Sequence, residues 1–132
     1  MCIFCKIIAG EIPSYRIFED EDFVAFLDIS QATIGHTLLL PKKHVATIYE
    51  LDSPLQEKLG KALVTVARLL KEKLGFEDLN ILNNNGPLAG QTIAHFHVHL
   101  IPRYSTEELG FHLKPHSLTP EEFKELQRKI LA

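Results

Sequence analysis

The chain has 132 residues, 45% of them hydrophobic, which is long enough for one domain with a proper core and too short for two comfortable ones. A formal net charge of -3 argues against a protein that wraps a nucleic-acid polymer by neutralising phosphates, although a small basic cluster can still hold one nucleotide. No segment approaches the ~18 apolar residues of a membrane span and the N-terminal stretch lacks a signal-peptide pattern, so the expectation is a cytoplasmic protein without a membrane partner.

In chain order, Ile3 to Ala9 reads as a short helix ending at Gly10. Tyr15 to Glu19 and Phe23 to Asp28 read as strands joined by a hairpin turn at Asp20-Glu21-Asp22. His36 to Leu40 is a further strand, stopped by Pro41. Ser53-Pro54 followed by Gln56 opens the main helix, in which Leu55, Leu59, Leu63, Val66 and Leu70 recur at helical spacing until Gly75. Leu79 to Leu82 and Ala94 to Arg103 are strands joined by the loop Asn83 to Ile93. Thr119-Pro120 with Glu122 opens a C-terminal helix carrying Phe123, Leu126 and Ile130. Strands outnumber helices and hairpin-like links dominate, so the expected class is α+β, an antiparallel sheet with a helix on one face, rather than a parallel doubly wound fold.

Within "AHFHVHLIPR", His95, His97 and His99 alternate with Phe96 and Val98, so the three imidazoles share one face of a half-buried strand. At roughly 3.3 Å per residue, the first and last lie about 13 Å apart, too far for both to hold one metal ion, though neighbouring pairs can chelate. The preceding loop, "NNNGPLAGQT" at 83–92, is rich in Asn and Gly and can present backbone amides to an anion, but no Lys-Ser/Thr follows as in a P-loop. Cys2 and Cys5 form a lone C-x2-C, compatible with zinc, a redox pair or coincidence. The chain has no other cysteine, so a tetrahedral site needs two histidines.

These motifs resemble the histidine triad (HIT) family of nucleotide hydrolases and transferases. The resemblance rests on His95-Phe96-His97-Val98-His99-Leu100-Ile101, "CIFCKIIAGEIPS", "FLDIS", "GHTLLLPKKH" and "GPLAGQTIAH", and spans roughly the first 104 residues, with the C-terminal tail matching less clearly. It implies a five-stranded antiparallel sheet with a main helix, pairing as a homodimer into one continuous sheet. It implies a purine nucleotide substrate cleaved at the α-phosphate, with His97 as the nucleophile of a nucleotidyl-histidine intermediate, His99 stabilising charge on phosphate, and His36 as a further active-site histidine. A neutral imidazole nitrogen suits that task when its other nitrogen donates to a fixed acceptor.

By the same resemblance Gln91 and Thr92 contact phosphate and leaving group, Asn84 and Gly90 belong to the nucleotide site, and Asp28 accepts from the ribose hydroxyls. Phe4, Ile7, Ile12 and Phe26 surround the base. From local sequence alone Asp28 reads equally as a strand-end turn residue and the four apolar residues as core. Family members of the bacterial type imply a structural zinc on Cys2, Cys5, His44 and His95.

Two features leave the leaving group open. "GPLAGQT" followed by "HLIPR" resembles the diadenosine-polyphosphate branch, whereas "KIIAGEIPS" is closer to the phosphoramidate branch. The chain has no tryptophan, so it lacks the Trp-containing tail of the phosphoramidate hydrolases; Leu109 to Ser117, with His112 and His116 read as surface residues, stands in its place. The expected function is a hydrolase of adenosine-type nucleoside phosphoramidates or dinucleoside polyphosphates. The alternatives are a nucleotidyl transferase or phosphorylase, a hydrolase using zinc-activated water, and a purine nucleotide-binding module with slow turnover and a protein partner.

Overall fold

A computed structural model describes residues 2–111 and 113–132. Helix α1 (Ile3–Ile8) opens on Cys2, whose Sγ accepts the N–H of Cys5, and closes at Ala9 before Gly10 turns the chain with φ 81°. Strands β1 (Arg16–Glu19) and β2 (Phe23–Leu27) form the expected hairpin. Asp20 makes that turn by accepting the N–H groups of Asp22 and Phe23 on one carboxylate oxygen. Strands β3 (Thr37–Pro41), β4 (Asp78–Asn83) and β5 (Val98–Arg103) complete a five-stranded antiparallel sheet in the order β1-β2-β3-β5-β4.

Helix α2 (Ser53–Leu74) turns Leu55, Ala62, Val66 and Leu70 onto one face of the sheet, where they meet Phe23, Ala25, Leu39, Phe96, Val98 and Leu100. The other face carries Val24, Phe26, Leu38 and Leu40 against Phe4 and Ile7 of α1. Strand β2 is thus covered on both sides, which is why it reads as an unbroken apolar run. Helix α3 (Pro120–Leu131) has the expected Thr119/Glu122 capping box, but its residues are all exposed, including Phe123, Leu126 and Ile130. No helix among the described residues is long and apolar enough to cross a membrane.

Several boundaries differ from the sequence expectations. Pro41 is the last residue of β3, paired with Phe23, rather than the stop before it. The β3–β5 pairing ends at Leu39↔Val98, so the missing proline N–H faces no ladder partner. The N-cap of α2 is Asp52, whose carboxylate accepts the Leu55 N–H, which makes Ser53 and Pro54 the first helical residues. Strand β5 starts at Val98 instead of Ala94, because residues 94–97 lack a strand partner; Phe96 N–H donates to the Val45 carbonyl instead. The side-chain alternation survives that irregularity, with Phe96 and Val98 in the α2 core and His95 and His97 packed edge-on against Phe4 on the other face.

Candidate functional site

A cavity of about 550 Å³ opens between α1, the ends of β2 and β3, and the loops flanking β4 and β5. Phe4, Ile7, Ile12, Phe26 and Leu38 form its apolar end, and Asp28, His36, Asn84, Gly90, Thr92, His97 and His99 line the rest. The helical spacing of α1 sends Phe4 and Ile7 inward, and both are buried. His36 follows Gly35, whose φ of 100° favours glycine and whose added Cβ would lie 2.6 Å from Leu74 Cδ1.

The hydrogen bonds assign the imidazole tautomers. His97 Nδ1 lies 2.7 Å from the His95 carbonyl, to which it donates, leaving Nε2 as the free lone pair of a buried ring. Asn83 Nδ2 donates to the His97 carbonyl at 2.8 Å and braces the same segment. His36 Nδ1 accepts the Ala32 N–H, so a neutral His36 carries its proton on Nε2, 2.9 Å from His99 Nδ1. His99 then accepts at Nδ1 and presents an Nε2–H donor. Asp28 Oδ2 lies 3.6 Å from His36 Nε2. The ligand atoms of Asp28, His36 and His99 also lie close together, and the hydrogen bonds of this group engage both nitrogens of His36 and Nδ1 of His99.

Burial holds His97 below the ordinary imidazole range, against the opposing pull of its bond to the His95 carbonyl and of the Asp28 charge. His99 is pushed down to about 4 by burial, then by His97 and His36, with Asp28 opposing. The unfolded chain therefore takes up a proton at His99 near the ordinary imidazole value of 6.5, which the folded chain refuses until about 4. The stability this contributes is full above that unfolded value and is lost as pH falls toward 4. Urea unfolding at about pH 7 and about pH 5 is expected to show a larger acid loss in the wild type than in His99→Asn. Equal losses would contradict the assignment.

A second cluster lies behind the first. Cys2 Sγ is 3.3 Å from Cys5 Sγ and 3.5 Å from His95 Nδ1; Cys5 Sγ is 3.3 Å from His44 Nδ1 and 3.6 Å from His95 Nδ1; the two Nδ1 atoms are 3.2 Å apart. A tetrahedron of thiolates and imidazoles around zinc has edges of about 3.3–3.8 Å, given ligand bonds of about 2.0–2.3 Å. His95 Nε2 donates to the Pro41 carbonyl at 2.8 Å, which directs the Nδ1 lone pair at the cluster. The four residues form a metal-competent set.

Of the residues expected at the nucleotide, only Gln91 is off the cavity wall. Its amide accepts the Gly86 N–H and donates to the Ala46 carbonyl, fastening the loop between β4 and β5. The N–H groups of Ala89, Gly90 and Gln91 are likewise bonded within that loop, so these three amides are not the ones such a loop can offer an anion. Asn83 and the Pro41 carbonyl were not legible beforehand: the first signal lies in the pairing of Asn83 with Val98, the second in a contact spanning 54 positions. His116 is exposed, as expected, and His112 lies outside the described residues.

Residues 9–106 match the family described as HIT domain. The crystal structure of a HIT family member from Bacillus subtilis covers 98% of this chain and 94% of its own, at 44% identity and a TM-score of 0.93. Adenosine 5'-monophosphoramidase hnt1 of Schizosaccharomyces pombe is 39% identical over 130 residues, 98% of this chain and 95% of that protein. A Zn-bound histidine triad family protein from Mycobacterium smegmatis shares 36% identity with a TM-score of 0.76, covering 98% of this chain and 92% of that one. With His97 and His99 on the cavity wall, His95 in the cluster behind it, the sheet order established and the family matched across most of the chain's length, this chain belongs to the HIT family.

Proposed function

We propose that the chain is a nucleotidyl hydrolase that cleaves adenosine-type nucleoside phosphoramidates or dinucleoside polyphosphates at the α-phosphorus. The observation that carries this reading is the His97 ring, locked through Nδ1 to the His95 carbonyl with Nε2 left free. The naming of the fission-yeast relative as an adenosine 5'-monophosphoramidase supports the phosphoramidate class.

In this reading the purine lies among Phe4, Ile7, Ile12 and Phe26, Asp28 accepts from the ribose hydroxyls, and the phosphate meets the side chains of Asn84 and Thr92, with Gly90 beside them on the cavity wall. His97 Nε2 attacks phosphorus as the bond to the leaving group breaks. His99 donates from Nε2 to a non-bridging oxygen as charge builds there, with His36 fixing its tautomer. Water then displaces His97, releasing the nucleoside monophosphate and restoring the imidazole. Gln91 acts as a positioning residue that holds the loop rather than by touching phosphate.

Cys2, Cys5, His44 and His95 would hold zinc, which supplies a structural cross-link between α1 and the segment leading into β5. The whole chain serves as one domain, and the open edges β1 and β4 favour a homodimer.

Stereochemistry tests the covalent route. Two in-line displacements restore the configuration at phosphorus, whereas a single attack by metal-activated water inverts it. Hydrolysis of a chiral phosphorothioate substrate in labelled water is expected to give net retention. Net inversion would return the metal-hydrolase reading to first place.

A further inference from the structure

We infer that Cys2 and Cys5 are a redox-labile pair whose oxidation to a disulfide expels the metal and weakens the catalytic site. This rests on the proposed metal site and adds a chemical modification to it. The sulfurs are 3.3 Å apart, both are free thiols, and both are half-exposed while His95 behind them is fully buried. The two cysteines are thus partly open to solvent, whereas the imidazole that packs against them is closed off. The chain has no third cysteine, so an oxidised Cys2 or Cys5 has only the other as an intramolecular resolving thiol.

The step balances with a low-molecular-weight disulfide as oxidant. One protein thiolate attacks it and expels a small thiolate; the second attacks the mixed disulfide and expels the other. Two electrons pass from the protein pair to the oxidant. The products are the Cys2–Cys5 disulfide, two small thiolates and the divalent metal ion, which has lost both anionic donors and retains only His44 and His95.

The consequence reaches the cavity through two short paths. Phe4 sits between the two cysteines on α1, and its ring packs edge-on to His97 with centroids 5.1 Å apart. His95, released from the metal, carries the carbonyl that holds His97 Nδ1 at 2.7 Å. Oxidation therefore removes the clamp on both neighbours of the free imidazole nitrogen.

The test uses the full chain as purified, with metal content measured first, titrated with oxidised glutathione. Released zinc is read with a chromogenic chelator, thiols by intact mass, and hydrolysis is followed in parallel. Zinc release is expected to track the loss of two hydrogens per chain, with kcat/KM falling roughly tenfold, the lower range for losing support of a metal site. A reduced dithiol plus zinc restores all three readouts. Metal that stays bound, or cysteines that end as separate glutathione adducts, overturns the inference and leaves the metal site standing. A chain that carries no metal before oxidant is added overturns the metal reading first, and this inference with it.

Discussion

His97→Ala is expected to lower kcat by about ten-thousand-fold or more, the scale seen when a covalent nucleophile is removed, while nucleoside monophosphate still binds. Under the proposed function, chemistry and binding separate because they use different parts of the cavity. The apolar end, formed by Phe4, Ile7, Ile12 and Phe26, and the carboxylate of Asp28 remain when the imidazole is cut away. The substitution does leave a space against the Phe4 ring, whose centroid lies 5.1 Å from that of His97, so some loss of stability accompanies it. Pre-steady-state mixing of wild type with substrate is expected to show a nucleotidylated protein that the variant does not form. Turnover by His97→Ala within tenfold of wild type would refute the nucleophile assignment, and loss of nucleotide affinity would place the ring in binding instead.

With zinc in the proposed Cys2, Cys5, His44 and His95 site, its removal is expected to lower the melting temperature strongly. The four donors connect segments far apart in sequence, with Cys5 and His44 39 positions apart and Cys2 and His95 93 apart. A metal ion held at about a thousand times its dissociation constant stabilises by about 4 kcal/mol, and a chain of this size shifts about 3–4 °C per kcal/mol, so a fall of roughly 12–16 °C is expected. Chelation followed by thermal unfolding checks this, with metal analysis on protein purified without added zinc. Cys2→Ser combined with Cys5→Ser is expected to reproduce both the metal loss and the lower melting point. Metal retained by that double variant would show that the ion sits elsewhere.

Much of the candidate site was legible because its residues cluster in short motifs. The alternation at 95–99 placed His95, His97 and His99 on one face, and that holds even though the strand itself begins only at Val98. The backbone bends at 93–95, yet His95 and His97 still pack on Phe4 while Phe96 and Val98 enter the α2 core. The α2 stripe was legible for the same reason, although buried Ala62 escaped notice because its small side chain adds little to the periodic signal. The misread details concern hydrogen bonding. Pro41 ends β3 from within because of where β5 pairing stops, and Gln91 faces Gly86 and Ala46 rather than the cavity.

Composition and spacing by themselves determined the class of fold, the shared face of the triad and the need for histidine to complete any tetrahedral site containing Cys2 and Cys5. These are properties of short segments, in which a period of 2 or 3.6 directs side chains before any long-range contact forms. Only the tertiary structure set His36 Nε2 against His99 Nδ1, 63 positions away, and assigned the proton on each ring. The two residues meet because β3 pairs with β5 in the register Leu38↔His99, and that register is a competition among distant backbones for the same hydrogen bonds. The free nitrogen of His97 has the same origin: a carbonyl left unpaired by the irregular segment before β5 accepts its other proton.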